Sequence, residues 1–381
     1  MKIALIGPAY PYRGGIAHHT NMLYTYLRRH GHEVDVITFT RQYPKILYPG
    51  QTQEEVGGAG DVAEAIPSVR LIDSINPFTW WRAARYVRDR EYDLHVFRWW
   101  LPFFGFAFGT IARIVRKRRP GSVLVILDNL FPHEKRPGDE TLTRYFFRQC
   151  DMAVCQSSTV LEQLARTFPD IPRTMLPHPV YENFGETIPR DVARRELGIG
   201  SPHVLLFFGF VRAYKGLDRL LAAMPEIVKR VPDVQLLVVG EFFEDREPYL
   251  RAIREGGVDD HVTIHDAYVP NEDVALWFSA ADMLVLPYHS ATNSGIVQIG
   301  SNFAVPAIVT NVGSLSEVVI DGETGFVVDD ATPVALADAV ERMYSGDTRD
   351  RFEANIVRER ARYSWDAFVE GITSFVETNR R

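Results

Sequence analysis

The chain has 381 residues and a formal net charge of −7, and at roughly 100–200 residues per domain it has room for two domains, each with its own core. Its 46% apolar and 24% charged content is that of a folded globular protein and excludes disordered, collagen-like and coiled-coil classes. Cys150 and Cys155 are the only cysteines, too few for a disulfide framework or a cysteine zinc site, which points to a reducing, cytoplasmic setting. The apolar run Ile3–Gly7 is too short for an export signal, and no run of about 18 uncharged apolar residues exists to span a membrane.

In chain order, Lys2–Ile6 has the composition of a buried strand, Gly7–Gly15 is rich in Gly and Pro, His18–Arg29 has helical apolar spacing, and Val34–Phe39 is a second strand. Such alternation predicts a parallel sheet with helices on both faces. It continues through the short strands Leu94–Phe97, Val123–Leu127 and Met152–Gln156. Prolines at 169, 172, 177, 179 and 189 then punctuate a weakly periodic stretch that reads as the crossing between domains. After Pro202 strands recur at Val204–Phe208, Gln235–Val239, Val262–Ile264, Met283–Leu286, Ala307–Thr310 and Gly325–Val327. Two doubly wound halves follow, and in such sheets ligands bind beyond the carboxyl ends of the strands, so the expected active site is the cleft between the halves.

Charge is unevenly spread. Between Arg82 and Arg119 ten Arg/Lys face three acids, a local +7 that leaves −14 for the rest of the chain. The block Arg98–Arg119 sets Trp99, Trp100, Phe103 and Phe104 beside Arg116, Lys117, Arg118 and Arg119. This composition suits the headgroup boundary of an anionic membrane, or else a core helix with a basic end. Nucleic acid is not expected, because the aromatics form one block instead of interleaving with the charge.

Several positions carry candidate chemistry. Gly14 and Gly15 follow the first strand, where glycine permits close backbone approach to a phosphate or sugar, or simply turns the chain into a helix. Arg212 and Lys215 follow the strand ending at Phe208-Gly209; two cations there suit a pyrophosphate, although a Lys-Gly turn is also an ordinary helix entrance. Thr292-Asn293-Ser294-Gly295 opens a helix whose free N–H groups can take up phosphate, with Gln298 one turn on. Glu317 lies in a Gly-x-Leu-x-Glu turn, where it can meet a ligand or complement a helix dipole. Asp128 ends the strand Val123–Leu127; it can hold a hydroxyl, act as a base, or cap the next turn. His133 and Glu134 follow it, and His95, inside a strand between Leu94 and Val96, reads as a core histidine. No Asp-x-Asp occurs, a pair that could hold a cation against a diphosphate.

The stretches Leu27–Val34, Phe208–Leu217, Ala280–Pro287 and Val305–Gly325 resemble, in that order, the motifs of retaining glycosyltransferases of family 4. That resemblance implies the GT-B fold, an α/β architecture of two Rossmann-like doubly wound domains facing a central cleft. Residues 1–185 would bind the acceptor, with a returning C-terminal helix at 364–381, and 186–363 would bind the nucleotide-sugar donor. It implies transfer of a sugar from a nucleotide diphosphate to a hydroxyl of a lipid-linked or cell-envelope saccharide, without cofactor or metal; the cysteine usage places the protein in the cytoplasm, and the block 98–119 would make it peripheral on the plasma membrane's inner face. A nucleotide-sugar 2-epimerase or hydrolase, or a non-catalytic glycan-binding module, shares the fold.

Carried over position by position, the resemblance makes Arg212, Lys215 and Asp128 catalytic and gives donor contacts to Gly14, Gly15, Gly209, Arg212, Lys215, Asn293, Ser294, Gly295, Gln298 and Glu317. Two departures stand out. The family's pair of glutamates eight residues apart is absent: Thr292 stands where the first would fall. Asp128 occupies a position where the family often has His.

Overall fold

In a computed structural model, residues 1–44, 52–54, 66–117, 121–132, 136–291 and 295–380 are described. The chain forms two compact units, Met1–Pro179 with Ser364–Arg381, and Val180–Tyr363. The crossings therefore fall at Pro179/Val180 and Tyr363/Ser364. The two passing segments are pinned where they enter the second unit, Val180 N–H donating to the Tyr363 carbonyl at 2.9 Å.

The first unit is built on a seven-stranded parallel sheet. Its strands are β1 (Lys2–Ile6), β2 (Glu33–Arg41), β3 (Ser68–Asp73), β4 (Leu94–Trp99), β5 (Ser122–Leu127), β6 (Met152–Cys155) and β7 (Arg173–Met175), in the spatial order β3-β2-β1-β4-β5-β6-β7. Successive side chains of a strand point to opposite faces. Ile3 and Leu5 accordingly enter one core with the helices Gly15–Arg29 and Trp365–Asn379, while Ala4 and Ile6 enter the other with Pro77–Arg88, Gly105–Arg116 and Asp139–Phe147. Both faces are covered, so the strands are near-continuous apolar runs. The returning helix at Trp365–Asn379 is capped by Ser364, whose hydroxyl accepts from Ala367 N–H, and it packs on Gly15–Arg29. β3 and β7 had no counterpart in the sequence reading: β3 carries Arg70 amid its apolar residues, and the three-residue β7 lies in the proline-rich stretch.

The second unit has six parallel strands: β8 (His203–Phe208), β9 (Val234–Val239), β10 (Val262–His265), β11 (Met283–Leu286), β12 (Ala307–Thr310) and β13 (Gly325–Val328), ordered β10-β9-β8-β11-β12-β13. Leu205 and Phe207 face one core; Val204, Leu206 and Phe208 face the other. In each sheet the strand order reverses once, beside β1 and β4 in the first and beside β8 and β11 in the second. Those reversal points leave a crevice at the carboxyl ends, the place where such sheets bind ligands.

The four aromatics expected to meet a bilayer, Trp99, Trp100, Phe103 and Phe104, do not form an outer face of the block 98–119. Trp99, Trp100 and Phe104 are buried in the core beneath Gly105–Arg116, and Phe103 packs against them. The Trp99 ring stacks on Phe146 with centroids 4.9 Å apart. The physical reason is placement: Trp99 ends a central strand, and the residues after it form the tight turn that lays the following helix on the sheet. Arg98 is itself fully buried. Arg118 and Arg119 lie outside the described residues.

Candidate active site

At the carboxyl edge of the first sheet, Gly14 (φ 103°) precedes the helix Gly15–Arg29 as its N-cap residue. One helical turn in, His19 is fully buried and meets Arg98 of β4. Arg98 Nη1 is 3.0 Å from His19 Nδ1, and its Nη2 is 2.8 Å from both carboxylate oxygens of Asp128, which follows β5. A guanidinium only donates, so His19 Nδ1 accepts and its proton sits on Nε2. Gln156, just beyond β6, lies 2.9 Å from that Nε2. The Gln156 atom at that distance is the amide nitrogen, and its buried oxygen has no partner; turning the amide over brings the oxygen to His19 as the acceptor this tautomer requires. Burial, with Arg98 beside it, holds His19 well below the usual histidine range, so the ring stays neutral. His178, edge-on to His19 at 5.0 Å between centroids, is likewise pushed down to about 4 by burial.

Asp128 is thus one end of a buried chain, Gln156–His19–Arg98–Asp128, with its side chain 15% exposed. Burial raises its carboxyl from the ordinary value and Arg98 opposes that rise. Sequence reasoning placed Asp128 in the site but missed Arg98, His19, Gln156 and His178. The available signal was an arginine inside the apolar strand Leu94–Trp99, one strand away from an aspartate at the same level. His95 is a core residue, as its neighbours implied: it is buried, and burial pushes it down to about 4. His133 and Glu134 lie outside the described residues.

At the carboxyl edge of the second sheet, Gly209 (φ 93°) ends β8. A Cβ at Gly209 would lie 3.1 Å from Lys215 Nζ and 3.1 Å from Ile296 Cδ1, so the lysine head and the start of the helix Gly295–Asn302 converge on that glycine. The turn carrying Lys215 closes at Gly216 (φ 71°), where a Cβ would sit 2.0 Å from the Pro287 carbonyl; only glycine lets the turn press onto the end of β11. Lys215 is buried, with Nζ 5.9 Å from the centre of the Tyr288 ring, and it forms no ion pair among the described residues. Burial first, and Arg212 second, push its ammonium down to about 7. Arg212 is exposed, its guanidinium 5.0 Å over the Phe243 ring.

Gln298 is fully buried with neither amide atom partnered among the described residues. An amide so placed costs on the order of 1–3 kcal/mol until something bonds it. Gly295 opens its helix against the Tyr181 ring; Asn293 and Ser294, with Thr292, lie outside the described residues. Eight residues beyond Thr292 is Gly300, where a Cβ would meet Leu284 Cδ1 at 2.5 Å. The missing second glutamate therefore has a packing counterpart: its room is filled by Leu284 of β11. Glu317 is exposed on the short helix Leu315–Val318, one strand further along.

Residues 14–178 match the model of the glycosyl transferase 4-like domain, and residues 202–346 match that of the glycosyl transferases group 1. The chain's two halves belong to these two glycosyl transferase domain families. Among its relatives is a D-inositol 3-phosphate glycosyltransferase of Corynebacterium diphtheriae, 30% identical over 189 residues, which are 48% of this chain and 44% of that protein. Spore coat protein SA of Bacillus subtilis is 28% identical over 212 residues, 53% of this chain and 56% of its own. The chain thus spans about half the length of the curated relatives it matches. Among solved structures, Anabaena Alr3699/HepE in complex with UDP and glucose superposes with a TM-score of 0.79 at 15% identity, over 99% of this chain and 100% of that one. Sucrose-phosphate synthase from Thermosynechococcus elongatus gives 0.73 at 20% identity, over 99% and 98%. At these identities the likeness establishes the fold, which is GT-B.

Proposed function

We propose that the chain is a retaining, metal-independent glycosyltransferase that moves a sugar from a nucleotide diphosphate to a hydroxyl of a lipid-linked or cell-envelope saccharide. The observation that carries the reading is Lys215, a buried side-chain amine near a strand's carboxyl end with no carboxylate against it among the described residues. Burial without a counter-charge lowers the lysine's pKa, and an anionic ligand that supplies the counter-charge restores its full positive charge. A diphosphate does so, and the contact strengthens as the sugar–oxygen bond breaks and charge accumulates on the leaving group.

In this reading Arg212 neutralises the outer phosphate, and Gly209, with the helix entrance at Asn293, Ser294 and Gly295, admits the phosphates to backbone N–H groups. Gln298 and Glu317 orient ribose or sugar. Gly14 and Gly15 give the donor sugar close backbone approach, and Asp128, held by Arg98, binds an acceptor hydroxyl. The relatives' names support transfer to a polar alcohol, and the complexes of Alr3699/HepE with UDP and UDP-glucose support a nucleotide-sugar donor. The test is nucleoside diphosphate release from UDP-, GDP- and ADP-sugars with and without saccharide acceptors. Release only with acceptor supports transfer, acceptor-independent release supports a hydrolase or epimerase, and no release or binding with any donor contradicts the reading.

A further inference from the structure

Apart from Met175 on the edge strand β7, the exposed large apolar side chains of the first unit, among the described residues, lie on or beside two helices. Phe78 (82% exposed), Trp81 (51%) and Phe106 (54%) are more exposed than any other Phe or Trp among the described residues, and Ile75 (48%) lies beside them in sequence. They sit on two helices, Pro77–Arg88 and Gly105–Arg116, that pack together on the same face of the sheet. On the first helix the outward positions include Phe78, Trp81, Arg82 and Arg85, at helical spacing; on the second they are Phe106, Arg113, Arg116, which pairs with Asp151, and, just past its end, Lys117.

Neither helix contains a carboxylate. Arg82, Arg85, Arg113 and Lys117 form no ion pair among the described residues, although the chain as a whole carries −7. Both helices leave the sheet at its carboxyl edge, after β3 and β4. The exposed aromatics therefore lie in the first five positions of each helix, at that edge; Arg82 follows Trp81 directly, and Arg85, Arg113 and Lys117 follow one to three turns further on. Two neighbouring helices thus present the same two bands, aromatic and then cationic.

We infer that this surface docks on an anionic lipid bilayer. A bilayer is ordered by depth in the same way, with an acyl boundary that accepts Phe and Trp and a headgroup layer that attracts Arg and Lys. The surface differs from the 98–104 aromatics, which are core. Docking in this sense also brings the sheet edge that carries Asp128 toward the membrane, where a lipid-linked hydroxyl would be presented. That last step rests on the glycosyl-transfer reading, while the docking itself does not.

The test is co-sedimentation of the full chain with vesicles of phosphatidylcholine alone and with one-third phosphatidylglycerol, in about 0.1 M and about 1 M salt. Wild type is expected to pellet with the anionic vesicles at the lower salt, to be released at the higher, and to ignore phosphatidylcholine. The triple variant Phe78→Ser, Trp81→Ser, Phe106→Ser and the quadruple variant of Arg82, Arg85, Arg113 and Lys117 to Gln should each weaken partitioning by about 10²-fold or more. Both should keep the wild-type melting temperature and the rate of nucleoside diphosphate release on a soluble acceptor, because every substituted side chain is exposed. Wild type that stays in the supernatant with anionic vesicles overturns the inference, as do variants that bind as well as wild type. So does an aromatic variant that turns a dimer into a monomer in sedimentation velocity, since the patch would then meet a second copy. A chain that binds vesicles but releases no nucleoside diphosphate defeats the transferase reading alone.

Discussion

Nη2 of Arg98 lies 2.8 Å from both carboxylate oxygens of Asp128, and the arginine is fully buried while the aspartate keeps an exposed edge. The pair therefore serves fold and site together: Arg98 fixes the orientation of a carboxylate that sits at the mouth of the first sheet. A carboxylate so held has a fixed direction and accepts hydrogen bonds from a sugar hydroxyl. Removing one member of a buried pair leaves the other's charge uncompensated, at about 3–5 kcal/mol. Arg98→Met should cost that much in urea unfolding, and adding Asp128→Leu should recover most of it. An Arg98→Met midpoint equal to wild type would show that the pair contributes nothing.

Lys215 makes nucleoside diphosphate binding pH-dependent. With its pKa lowered to about 7 by burial and Arg212, the free protein loses this charge as pH rises through 7, whereas a bound diphosphate holds the proton in place. Binding should take up a proton on the alkaline side and weaken by about tenfold per pH unit there. Titration calorimetry in buffers of different ionisation enthalpy measures the uptake. Affinity unchanged between about pH 7 and 9, or the same slope in Lys215→Gln, would refute the linkage.

Restoring the family's second glutamate should harm the protein. Gly300→Glu drives a side chain into Leu284, and overpacking of this kind costs about 1–3 kcal/mol before the burial of a charge is added. Thermal unfolding checks it, and a Gly300→Glu protein as stable as wild type would show that room exists for the carboxylate.

Chelation should leave turnover intact, since Lys215, Arg212 and backbone N–H groups are assigned the neutralising role that a metal has elsewhere. Assay with EDTA, then with added Mg²⁺ or Mn²⁺, checks this; loss and rescue would require a metal in the scheme.

Much of the fold was legible because strands buried on both faces are continuous apolar runs, and eleven of the thirteen strands carry that signature. β3, with Arg70 in it, and the three-residue β7 do not. Arg212, Lys215 and Gly209 were legible through the strand–glycine–cation order at the end of β8. The Gln156–His19–Arg98 chain was not, because it joins residues 137 positions apart through a sheet. Composition alone cannot say that Arg98 points inward while Arg113 points to solvent. The same limit misplaced the aromatic surface: Trp99 and Phe104 look as suited to a membrane as Phe78 and Trp81, and only the strand and turn around them show which pair is core.

The central claim is that Lys215 and Arg212 stabilise a departing nucleoside diphosphate, and the most direct measurement is single-turnover donor cleavage by Lys215→Ala and Arg212→Ala. Each is expected to fall by about 10²-fold or more with its unfolding midpoint nearly unchanged, because each loses a charge-assisted contact that matters most in the transition state. Turnover within about threefold of wild type in both variants would contradict the account.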